Sequence, residues 1–64
     1  MLIGDKVLIN INDDIVGTGE ILGLAFDQPY AKSWIVLFLE RKTDFLKKRP
    51  EKAMVIFETH LTKI

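Results

Sequence analysis

Gly17-Thr18-Gly19-Glu20-Ile21-Leu22-Gly23-Leu24 is the stretch on which the fold of this chain turns. Two glycines two residues apart precede an apolar run, and a third interrupts it. Glycine enters φ > 0 without steric cost, so Gly17 and Gly19 suit a tight turn or bulge at the entrance to a strand. Gly23 suits a strongly bent strand that curls round a very small core. A Gly-x-Gly pair also invites a phosphate-loop reading. That loop needs a helix N-terminus and a Gly-Lys-Ser/Thr ending, and neither follows here. The stretch therefore reads as structural.

The residues on either side set the scale. Sixty-four residues make one domain. A chain this short buries only about 60% of its unfolded surface, which leaves a narrow stability margin. There is no cysteine, so neither a disulfide nor a thiolate metal site staples the fold. Stability must come from apolar burial, and a 48% hydrophobic content supplies the material. The run Trp34–Leu39 falls far short of the roughly 20 residues that cross a bilayer. The opening residues Met1-Leu2-Ile3-Gly4-Asp5-Lys6 show no basic segment and no long apolar segment of a secretory signal. These features fit a cytoplasmic protein with no membrane partner.

Net charge is zero but unevenly spread. Residues 1–30 carry five acidic side chains against Lys6 alone, and residues 31–64 carry eight basic against four acidic. Lys47, Lys48, Arg49 and Lys52 lie within six positions.

Along the chain, Gly4-Asp5 reads as a turn opening a first strand, Lys6–Ile11. Val7, Ile9 and Ile11 share one face of it, and Lys6, Leu8 and Asn10 the other. Asn12-Asp13-Asp14 breaks the strand with residues that form Asx turns and tolerate the left-handed region. The same triplet resembles part of a calcium loop but lacks the glycine and distal glutamate of that motif. Glu20–Ala25 forms the second strand. Phe26–Ser33 reads as an aromatic-rich loop, because Pro29 interrupts strand pairing. Trp34–Leu39 is a third strand, apolar on both faces: Trp34, Val36 and Phe38 point one way, Ile35, Leu37 and Leu39 the other. A strand of this kind expects cover on both sides. A chain of this size has one interior, so a folded-over loop, a partner or a second copy must cover the other face.

Thr43–Lys48 can make one helical turn, capped at Thr43 or Asp44 and stopped before Pro50. Ala53–Phe57 is a fourth strand, again apolar on both faces. Glu58-Thr59-His60 reads as a 3₁₀ turn, after which Leu61 and Ile64 return to the core through a short final strand. Five short strands with turns between them predict an all-β, five-stranded barrel, since closure removes exposed edges.

The order of elements resembles the SH3-like barrel superfamily, in particular KOW-type modules and PsaE-like small barrels. The resemblance is carried by Gly4-Asp5-Lys6-Val7, Gly17-Thr18-Gly19-Glu20-Ile21, the hydrophobic Trp34–Phe38 and the closing Glu58–Ile64. It implies a binding module, since barrels of this type rarely catalyse alone. The paired aromatics of a polyproline groove are not recognisable.

Catalysis finds few candidates. His60 is the only histidine and Ser33 the only serine, without a second imidazole, an HExxH motif or a nucleophile elbow. The carboxylates are scattered. No enzyme activity, cofactor, metal or small-molecule substrate is expected.

Two binding sets stand out. Arg41, Lys42, Lys47, Lys48, Arg49 and Lys52 are cations that could neutralise phosphates, or a solvated loop. Against nucleic acid stand the interspersed Glu40, Asp44 and Glu51 and a pI of about 6.5. The second set is Phe26, Pro29, Tyr30, Trp34, Ile35 and Leu37, joined by Leu22. Aromatic side chains are enriched in interface cores, although Phe26 and Trp34 could equally cap the chain's own core. The leading expectation is a non-enzymatic module working through protein–protein contact, as an accessory, regulatory or inhibitory subunit or by self-association. The alternative is a nucleic-acid-binding module using the 41–52 loop.

Overall fold

The computed structural model describes all 64 residues. The chain forms β1 (Lys6–Ile11), β2 (Asp14–Gln28), β3 (Ala31–Arg41), a single helical turn α1 (Asp44–Lys47), β4 (Ala53–Phe57), a 3₁₀ turn (Glu58–His60) and β5 (Leu61–Lys63). All five strands belong to one antiparallel sheet in the order β4-β3-β2-β1-β5. The chain is therefore all-β, with five strands and a 3₁₀ turn before the last, as its sequence predicts. Four strands meander, and the 3₁₀ turn carries the chain from β4 at one edge to β5 at the other.

Alternation places β1 as expected: Val7 and Ile9 are buried while Lys6 is exposed. Asn12 and Asp13 form the two-residue turn to β2 with φ of 51° and 66°. Two consecutive residues at positive φ give the hairpin turn whose twist matches that of the strands. Short polar side chains tolerate this conformation best.

The second hairpin is longer than the sequence suggests. Phe26–Ser33 is not a loop. Pairing continues through Phe26↔Ser33, Asp27↔Lys32 and Gln28↔Ala31, and only Pro29 and Tyr30 turn the chain. Proline fixes its own φ near −65° and suits the first central position of a turn, so it ends the ladder only where the chain reverses. The facing Asp27 and Lys32 carry opposite charges, which favours the extension.

β2 must bend. Fifteen residues at about 3.3 Å each would span nearly 50 Å, but the longest dimension of the molecule is 32 Å. Its pairing with β3 is interrupted between Thr18 and Gly19, Ile21 and Gly23, and Leu24 and Phe26. Such irregularities increase bend and twist.

The glycines in β2 act differently from expectation. None of Gly17, Gly19 and Gly23 has positive φ; Gly4, at 93°, is the one glycine that does. What Gly17 and Gly19 permit is close approach. A Cβ on Gly17 would lie 2.3 Å from the Glu40 carbonyl oxygen and 2.9 Å from Leu46 Cδ1. A Cβ on Gly19 would lie 2.4 Å from Val36 Cγ1. Gly23 faces open space.

Eight buried apolar residues form the core: Val7, Ile9, Val16, Ile21, Trp34, Val36, Leu46 and Leu61. Leu46 comes from α1, which reaches the core over the bare backbone of Gly17. Ile64 does not return to the core and stays exposed, because β5 ends at Lys63 and Leu61 already occupies the interior. Ile9 and Ile11 of β1 line one cleft with Met54 and Ile56 of β4, although β2 and β3 separate these strands in the sheet. The sheet is thus strongly curled.

Candidate functional site

The strand registers decide which side chains share the convex face, because residues directly opposite point to the same side. Three rows cross β2, β3 and β4: Phe26–Ser33–Phe57, Gly23–Ile35–Val55 and Glu20–Leu37–Ala53. The opposite face of β3 carries Trp34 and Val36, both buried. The two apolar faces of β3 therefore have different fates. One is core; the other faces outward.

This outward face is not covered by any part of the chain. Phe26 is 59% exposed, Val55 51%, Phe57 52% and Ile35 37%. Leu22 and Leu39 are also exposed, and Leu37 is half-buried; Leu24, opposite Trp34, belongs to the other face. In the first row, Ser33 is buried between two phenylalanines. Phe26, Ser33, Val55 and Phe57 line a cleft of about 280 Å³ with Gln28 and Ala31. In the second row, Gly23 leaves one flank of Ile35 without a neighbouring side chain, since nothing lies within 4 Å of its Cβ position. The third row is anchored at its polar end by the Lys6–Glu20 ion pair.

The predicted aromatic set divides. Phe26, Ile35 and Leu37 belong to the outward face, and Tyr30, 98% exposed, stands at the tip of the β2–β3 hairpin beside Pro29. Trp34 does not join them. It is a core residue, 8% exposed, and its indole N–H donates to Glu58 Oε1 at 2.9 Å. That bond ties the 3₁₀ turn to β3. Val55 and Phe57 are missing from the sequence-derived set although they complete the face. Both-sided apolarity of residues 53–57 was their signal, but only the register shows which of them point outward.

The basic set divides as well. The Arg41 guanidinium donates to the carbonyl oxygens of Leu46, at 2.9 Å, of Arg49 and of Glu51, and lies 4.9 Å from the centre of the Phe38 ring. Its charge organises the connection from β3 to β4. Arg49 stacks over Phe45 at 4.6 Å. Lys42, Lys47, Lys48 and Lys52 are exposed, and the two ion pairs of the molecule, Lys6–Glu20 and Asp5–Lys63, involve none of them. His60, half-buried, lines the cleft between β1 and β4.

Fold and site together define a small all-β protein with one antiparallel sheet and an open apolar face. No family model, curated protein or solved structure matches the chain. No helix is long and apolar enough to cross a membrane.

Proposed function

We propose that this protein is a non-enzymatic SH3-like barrel that acts as a binding module through protein–protein contact. The barrel reading is supported by the strand order β4-β3-β2-β1-β5 and by the convergence of β1 and β4 on one cleft. A 3₁₀ turn that leads into a last strand paired with β1 supports it too. The observation that carries the binding reading is the outward apolar face of Phe26, Ile35, Leu37, Val55 and Phe57. Contiguous exposed apolar surface on a small protein marks a contact site. The cleft between Phe26 and Phe57, floored by Ser33, suits one apolar or aromatic side chain of a partner.

The test is partner capture with the whole protein from its native host, comparing wild type with Phe26→Ser and Phe57→Ser. Both variants should fold normally, because both side chains are more than half exposed and the Phe57 side chain makes no cap bond. Such surface substitutions cost within about 0.5 kcal/mol. Both should lose the partner. Equal recovery by wild type and variants would remove the face as the binding site.

A second reading, nucleic-acid binding, draws on the four lysines without ion-pair partners in the β3–β4 connection. Its affinity would fall steeply with salt. A gel-shift titration with single- and double-stranded probes at low salt tests it, and an unshifted probe there ends it.

A further inference from the structure

We infer that the β4 edge pairs antiparallel with β4 of a second copy of this chain, in a register centred on Val55. The inference deepens the protein-contact reading above and names one partner for it.

The sheet has two edges, and they are unlike. β5 is three residues long and includes Lys63, both of which discourage strand addition. β4 is Ala53-Met54-Val55-Ile56-Phe57 with no charge, no proline and no register shift against β3. Short, charged, bulged or proline-bearing edges are the usual protection, and β4 has none of these except modest length.

Backbone direction follows from one bond. The Phe38 N–H donates to the Lys52 carbonyl at 2.9 Å, so Lys52 turns its polar groups towards β3. In an antiparallel ladder this alternates, and Met54 and Ile56 do the same. Ala53 and Val55 therefore turn N–H and C=O to the open edge, and Phe57 its N–H. The Phe57 carbonyl is taken up as the cap of the 3₁₀ turn. None of the backbone hydrogen bonds made by turns and loops reaches these groups.

A second β4 centred on Val55 answers all of them but the Ala53 N–H, whose opposite carbonyl, on Phe57, is already engaged. Val55 faces its own copy and exchanges two hydrogen bonds, and the Phe57 N–H donates to the Ala53 carbonyl of the partner on either side. The side chains are complementary in size, because the large Phe57 stands opposite the small Ala53. They are complementary in charge, because the same register brings Lys52 and Glu58, which flank β4, near one another at both ends, and the Trp34 indole engages only Oε1 of that carboxylate. Lys52 is exposed and has no ion-pair partner within its own chain. A net charge of zero adds no general repulsion between copies. The two outward faces then lie on the same side of one continuous sheet.

Sedimentation equilibrium of the full chain from ~10 µM to ~1 mM tests this, a range suited to an interface smaller than the standard size. Wild type should pass from monomer to dimer. Val55→Pro removes the central edge N–H without touching the β3 ladder and should remain monomeric, with the emission of buried Trp34 unchanged. Lys52→Glu brings a like charge near Glu58 at both ends and should weaken the dimer about tenfold. If Val55→Pro does not fold, the exposed Lys52→Glu decides alone. A wild type that stays monomeric overturns the inference and leaves the outward-face reading to its own capture test. A dimer indifferent to Lys52→Glu, or abolished by Phe26→Ser, also overturns it, and the latter assigns association to the outward face.

Discussion

At Gly19 the distance of 2.4 Å from a notional Cβ to Val36 Cγ1 explains a residue that backbone conformation does not. Val36 is fully buried, so it has nowhere to retreat. Overpacking a dense core costs about 1–3 kcal/mol, and here the Leu37 carbonyl, 2.8 Å away, adds a second clash. Gly19→Val should therefore lower stability by about 3 kcal/mol or more, read by urea denaturation. Gly23→Ala should do the opposite. Its φ is not positive and its Cβ position is open, so a stiffer unfolded chain raises stability by about 0.5 kcal/mol. A loss at Gly23 equal to that at Gly19 would refute the close-approach account. Thr43 offers a third test. Its hydroxyl oxygen is buried without a hydrogen-bond partner, on an extended backbone with φ −120° and ψ 161°. Thr43→Val removes that unmet group and suits the conformation, so stability should hold or rise by about 1 kcal/mol.

Among the elements, the connection from β3 to β4 shows how a charged side chain can replace secondary structure. One helical turn has little stability of its own. Here α1 is held from both sides: Leu46 is buried over Gly17, and the Arg41 guanidinium gathers three carbonyls from residues 46–51. Arg41→Met keeps an apolar stem against Phe38 but leaves those carbonyls to solvent. It should cost about 2 kcal/mol, since hydrogen bonds from a charged donor contribute more than neutral ones. Amide exchange should accelerate at residues 47–52 and stay unchanged in β1. Uniform acceleration throughout the chain would instead make Arg41 a determinant of global stability. Trp34 and Glu58 perform a comparable task at the other end, where their bond orients the 3₁₀ turn.

For the whole molecule, the outward face is a consequence of size. One small interior accepts one face of β3, and the core is complete with eight residues. The surplus of apolar side chains stays at the surface, in a chain without net charge to keep copies apart. Replacing Val55 and Phe57 by Thr and Ser should raise solubility while leaving thermal unfolding within a few degrees of wild type. A large fall in the unfolding temperature would show that these side chains belong to the core.

Local chemistry in the sequence determined much of this. Alternation placed β1, Asn12-Asp13 the first turn, Pro50 the end of α1, and residues 58–60 the 3₁₀ turn. These depend on neighbours within a few positions, which a sequence displays directly. Three features were decided only by tertiary structure. Whether Trp34 or Phe26 points inward depends on the register of β3 against β2 and β4. The need for glycine at 17 and 19 depends on Glu40, Leu46 and Val36, all distant in the chain. Arg41, a cation to the sequence reader, became a structural clasp once residues 46–51 folded back over it. In each case the partner is set by long-range pairing, and a side chain's role follows from what stands opposite.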